Sequence, residues 1–134
     1  MQDRPTIHEL LEAVERFLTE DLVPHLEGRR KFLARVSANV IRIVDREINL
    51  EEEQIDREWR GLDALLGKED APKGRADLRE GITRRNERLC EKLRSGEADE
   101  GAFREKVLDH LRATIREKLS VSDPALPERD DHAR

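Results

Sequence analysis

The chain has 134 residues, of which 43% are charged and 36% hydrophobic, with a net charge of −5, a single Cys and no Tyr. That length fits one domain with a core of its own, the acidic balance argues against a general nucleic-acid binder, and the lone Cys90 excludes an internal disulfide or a multi-cysteine zinc site. No apolar run approaches the ~18 residues of a membrane span, and MQDRPTIHEL lacks the apolar stretch of a signal peptide, so the expected location is a reducing cytoplasm.

In chain order, Thr6 and Glu9 read as a capping box that opens a first helix over about 7–20. Its apolar stripe is Ile7, Leu10, Leu11, Val14, Phe17 and Leu18. Pro24 and Gly28 mark a turn. A second helix follows over 29–48, the most apolar long helix of the chain. Phe32, Val36, Val40, Ile43, Val44 and Ile48 share its broad face, on which the bundle core is expected to form. Beside that face runs a polar stripe of Arg35, Asn39, Arg42 and Arg46.

Asn49 reads as the N-cap of a third helix over 50–66, with Glu51–Glu53 favoured by the dipole of its first turn. This helix buries Ile55, Trp59, Leu62 and Leu66, and Gly67 stops it. Residues 68–74 form a loop. A fourth helix spans 75–94, with Leu78, Ile82, Leu89 and Leu93 on one face. Gly81 weakens it by about 1 kcal/mol relative to Ala. Asp99 is the candidate cap of a fifth helix over 100–121, which buries Phe103, Val107, Leu108, Leu111, Ile115 and Leu119. The predicted fold is all-α: a compact antiparallel bundle of four or five helices over residues 1–124, with a polar tail at 125–134.

Several blocks resemble one family. They are Arg4-Pro5-Thr6, Leu10 to Val14 and Phe17-Leu18; Phe32, Ala34 to Val36 and Ala38 to Val40; Asn86, Leu89 to Glu91 and Arg94; and His110 to Thr114, Lys118-Leu119 and Asp123-Pro124. The family is an uncharacterised bacterial domain of unknown function. Its members are encoded beside, or fused to, aminoglycoside-phosphotransferase-like kinases and acyl-CoA dehydrogenases. The resemblance runs nearly to Pro124, and residues 125–134 depart from it. It carries no catalytic residue and implies an accessory role near acyl-CoA or phosphotransfer metabolism.

The residues give no reaction. No Glu-x-x-His pair of a di-iron bundle is present, and no phosphate loop, kinase signature or nucleophile elbow. Glu52 and Asp56 could share a cation, but dipole compensation on a wet surface explains them better. No metal, cofactor or catalytic residue is therefore assigned. Polar residues on apolar faces are more informative: Glu47, Asn86 and Arg104, with Asn39 and His110 at stripe margins. Either they satisfy one another and fix the helix register, or they line a pocket or an interface. Charge alternates along the chain, at +4 over 27–46, −6 over 47–70 and +4 over 73–94. Attraction between helices is the simplest account, and the Arg84, Arg85, Arg88 cluster lacks the aromatic or helix-turn-helix setting of a DNA contact.

The expected function is a non-enzymatic interaction domain, self-associating and serving a kinase or dehydrogenase partner, with no nucleic acid and no membrane. The alternative is a module for an anionic ligand, an acyl-CoA or a nucleotide, held by Arg35, Arg42 or Arg46. A cryptic enzyme would need Glu47, Asn86 and His110 to converge.

Overall fold

The computed structural model describes residues 4–126 and is all-α, with no strand among them. Its helices are α1 (Ile7–Arg16), α2 (Gly28–Leu66), α3 (Arg75–Arg94) and α4 (Gly101–Ser122). The chain divides into two units, one up to Leu50 and one from Glu51. Of the expected C-terminal tail, residues 127–134 lie outside the described residues.

The N-terminal unit begins with the expected capping box. The Glu9 N–H donates to Thr6 Oγ1 at 3.2 Å, and the Thr6 N–H donates to Glu9 Oε2 at 2.7 Å. Two of the first turn's orphan donors are satisfied in this way. After Arg16 the helix widens into a π-helical stretch, Phe17–Leu22, and then tightens into a 3₁₀ turn, Val23–His25. Pro24 explains the change, because it has no N–H to give and its ring crowds the carbonyl four residues back. The Thr19 hydroxyl takes up a freed backbone acceptor, donating to Glu15 O at 2.9 Å. α1 runs antiparallel to the N-terminal half of α2. His8 meets Asp45, and Glu15 meets Arg42.

α2 corrects the sequence reading in two ways. The helices expected over 29–48 and 50–66 are one helix of 39 residues. Asn49 does not cap. Its Nδ2 donates back to Asp45 O at 2.9 Å, as a polar side chain inside a helix does. No Gly or Pro interrupts the backbone there, and Glu51–Glu53 are good helix formers, so the capping signal has no break to act on. The second correction concerns the core. It forms on the C-terminal part of α2, not on residues 29–48.

That core fills the unit from Glu51 onward. Trp59, Leu62 and Leu65 of α2 pack with Ile82 and Leu89 of α3 and Val107 of α4. Leu62 is fully buried, and burial of a side chain of that size is worth about 1.5–3 kcal/mol. Gly67 ends α2 at φ +95°, where a side chain would be strained.

α3 runs parallel to α2, contrary to the expected antiparallel neighbour. Arg75 reaches Glu51 at 3.4 Å, Gly81 lies under Trp59, and Arg85 reaches Asp63 at 2.6 Å. The numbers rise together. The connection at 67–74 can return the chain because eight extended residues reach about 26 Å, and α2 from Glu51 to Leu66 is about 24 Å long. α4 then runs antiparallel to α2, with His110 against Gly61 and Ser120 beside Gln54 at 3.2 Å. Three α3 arginines, Arg75, Arg79 and Arg85, meet α2 carboxylates. Arg79 pairs with Glu51, and Arg88 with Glu69 just beyond α2. Attraction between neighbours thus accounts for the alternating charge blocks within this unit, though exposed pairs contribute only about 0–1 kcal/mol each. Asp99 does not cap α4; Glu100 occupies the cap position and makes no side-chain bond.

Gly81 has its reason in Trp59. A Cβ at position 81 would lie 2.9 Å from Trp59 Cζ3. Gly81→Ala should therefore destabilise the protein by about 1–3 kcal/mol, despite the propensity gained by Ala. Chemical denaturation checks this, and an unchanged or higher midpoint contradicts the packing described.

Candidate functional site

In the N-terminal unit the buried residues are small, and ten large apolar ones are exposed, while Leu11, Leu18, Ile41 and Ile43 are half-buried. On α2, Ala34 is 8% exposed and Ala38 1%. Ile41, Arg42 and Asp45, which meet α1 or line the cleft beside it, occupy the same side of the helix at 100° per residue. The arc beside that side carries Phe32, Leu33, Val36, Val40, Val44 and Ile48. Every one is exposed, Phe32 to 64%. On α1 the stripe Ile7, Leu10, Val14 and Phe17 is exposed as well, each near half or more. Ten large apolar side chains of one small unit therefore meet solvent, although isolated exposed apolar residues are ordinary and contiguous ones are not.

A cleft lies between the two helices. One part, of about 360 Å³, is lined by Pro5 to His8, Asp45, Ile48 and Asn49. A second, of about 170 Å³, is lined by His8, Leu11, Glu12, Glu15, Ile41, Arg42 and Asp45. His8 Nδ1 donates to Asp45 Oδ1 at 2.7 Å across it. That hydrogen bond, aided by the Asp45 charge, holds the His8 pKa above the usual 6.5. Arg42, one of the candidate anion holders, is bonded to Glu15. Glu12, Glu15 and Asp45 outnumber Arg42 and His8 along this wall.

The remaining candidates scatter. Arg35, Asn39 and Glu47 are exposed on α2 in the N-terminal unit, and Arg46 is half-buried. Arg104 is exposed and stands 3.9 Å from Glu105, not on a covered face of α4. Leu111 and Ile115, expected to be buried, are exposed too. Asn86 and His110 both address Glu58. Asn86 Nδ2 donates to Glu58 Oε1 at 2.9 Å. His110 packs on Gly61, where burial lowers its pKa and the Glu58 and Glu117 charges oppose the shift. Glu47 belongs to the other unit, so the three do not make one cluster within either.

The charged side chain that matters most for the C-terminal unit is Arg85, which is 2% exposed. Its guanidinium carbon lies 4.5 Å from the Trp59 ring centroid. NH1 donates to Asp63 Oδ1 at 2.6 Å and NH2 to Gly67 O at 2.7 Å, while Nε is buried without an acceptor. Burial works to raise the Asp63 carboxyl, but the Arg85 hydrogen bond and the Glu69 N–H outweigh it and leave its pKa lowered. This cluster holds the end of α2, the start of the return loop and α3 together. Sequence reasoning grouped Arg85 with Arg84 and Arg88 and did not single it out. Its signal is position: 78, 82, 85, 89 is a three–four spacing, so Arg85 stands in the apolar stripe of α3.

Among the described residues, no three His, Cys, Asp or Glu side chains gather closely enough to hold a metal ion, and no helix is long and apolar enough to cross a membrane. A family model described as domain of unknown function DUF6285 matches residues 24–126. The chain belongs to that family. The DUF6285 match takes in α2, α3 and α4 and begins after α1. No curated protein and no solved structure matches the chain.

His8, bonded to Asp45, and His110, packed on Gly61, titrate on opposite sides of 6.5. His8 is raised, so its contribution to stability is fully present below 6.5 and is lost as pH rises through its folded value. His110 is lowered, so the fold loses stability as pH falls from 6.5 through its folded value. NMR titration should place the His8 midpoint above 6.5 and that of His110 below it, and Asp45→Asn should return His8 towards 6.5. A His8 midpoint unmoved by Asp45→Asn contradicts the bonded geometry.

Proposed function

We propose that this DUF6285 protein is a non-enzymatic helical interaction domain whose work is to bury the apolar face of its N-terminal unit against another protein surface. One observation carries the reading: the unit turns Ala34 and Ala38 inward while Phe32, Val36, Val40 and Val44 stand in solvent. An apolar surface of that extent is unfavourable unless covered, because each large side chain, about half exposed, forgoes roughly half of the ~1.5–3 kcal/mol that full burial contributes. The partner suggested by the resemblance is a phosphotransferase-like kinase or an acyl-CoA dehydrogenase, which this domain would serve as an accessory.

The anionic-ligand reading is the weaker one. A cleft does lie beside α2, and Arg42 lines it, which favours that reading. But Arg42 is already paired with Glu15, and the carboxylates of Glu12 and Asp45 would repel the phosphates of coenzyme A or a nucleotide.

Purified kinase-like and dehydrogenase-like proteins from the same organism test the leading reading. The wild-type chain should co-elute with one of them, and Val36→Glu should abolish co-elution while leaving the helical circular dichroism unchanged. A wild type that neither co-elutes with either nor self-associates across a wide concentration range, or binding unaffected by Val36→Glu, contradicts it.

A further inference from the structure

We infer that the exposed face of the N-terminal unit is occupied by a second copy of this chain, forming a symmetric dimer in which α1 of each protomer lies against the N-terminal part of α2 of its partner. The inference rests on the interaction reading above and names the occupant of that face.

Area is the first argument. Ile7, Leu10, Val14 and Phe17 of α1 and Phe32, Leu33, Val36, Val40, Val44 and Ile48 of α2 each expose between 41% and 64% of their surface. At roughly half of each side chain, ten such residues present on the order of 900 Å² per chain, against about 800 Å² per partner in a standard interface. The largest patch on a typical monomer is about 300–600 Å². The face is therefore the size a stable dimer requires.

Charge is the second. From Thr6 to His25 the chain carries five carboxylates and one arginine. From Gly28 to Arg46 it carries six cations and one carboxylate. Both segments bear an exposed apolar stripe, so one unit holds an acidic segment and a basic segment, each with such a stripe. In a two-fold interface residue i meets j and j meets i. Acidic α1 then meets basic α2 twice, stripe on stripe, and the like-charged pairings α1 on α1 and α2 on α2 are avoided. An anionic membrane surface suits this unit less well, because the five carboxylates from Thr6 to His25 would be repelled. Glu47 stands exposed at the C-terminal end of the arc. It belongs at the rim of the interface, where its charge keeps water, rather than at the centre, where it would need a cation.

Leu111 and Ile115 of α4 serve as the control, since they are exposed apolar residues in the other unit. Sedimentation equilibrium of the full chain, from nanomolar to high micromolar, should show a monomer–dimer equilibrium. Val36→Glu and Phe32→Ser should each raise the dimer dissociation constant about tenfold or more, with the Trp59 near-ultraviolet signal unchanged. Leu111→Glu should leave it within about threefold. High salt should weaken the wild-type dimer.

A wild type that stays monomeric throughout overturns the proposal, as does a dimer broken by Leu111→Glu and not by Val36→Glu. Wild-type binding to phosphatidylserine vesicles in the monomeric form, lost in Val36→Glu, would assign the face to a membrane and overturn it as well. A monomeric wild type whose co-elution with a kinase or dehydrogenase is lost in Val36→Glu overturns the second copy and leaves the interaction reading standing.

Discussion

α2 buries a different kind of side along its length, and the properties of both units follow from that. In its N-terminal half the fully buried residues are Ala34 and Ala38, with Ile41 and Ile43 half-buried, so less apolar area is removed from water than in the last turns, and Phe32, Val36, Val40 and Val44 stay on the outer arc. In its last turns the covered side is Trp59, Leu62 and Leu65, and a core forms. Residues of α2 thus supply an uncovered surface within the N-terminal unit and a folded interior within the other. The hydrophobic effect is proportional to area removed from water. The N-terminal unit alone has left much of that gain unused.

The C-terminal unit depends on a buried charge. Arg85 lies on Trp59, holds Asp63 and caps the exposed carbonyl of Gly67. A buried pair of this kind stabilises less than an apolar replacement would in many proteins, yet removal of one partner is costly. Here it also fixes register, because one guanidinium reaches α2, the turn after α2 and α3 together. The parallel run of α3 along α2 needs that anchor, since the return loop is used nearly to its reach. Gly81 and Gly61 complete the fit by letting Trp59 and His110 approach backbone where a Cβ would collide.

Much of this was legible from residues alone, and the misses have physical causes. Thr6 with Glu9, and Gly67, acted locally, and the structure uses them where they stand. Asn49 misled because a capping residue marks a helix start only where the backbone breaks, and nothing breaks it there. The direction of α3 was illegible because loop length admits either direction once eight residues can span the neighbour. Periodicity showed correctly that 32–48 has a broad apolar face. It could not show whether this chain or another molecule covers that face, because the pattern is the same in both cases. Arg85 was readable by spacing, yet composition drew it into a cluster of arginines whose other members are exposed.

Membership in DUF6285 supplies a family and no chemistry, so the account of function stands on the uncovered face. Amide hydrogen exchange of the wild-type chain, followed residue by residue at low and at high protein concentration, tests it most directly. If two chains bury the face against each other, protection over residues 32–44 rises with concentration while that of α3 and α4 stays constant. Exchange over residues 32–44 that does not change across that range would contradict the account.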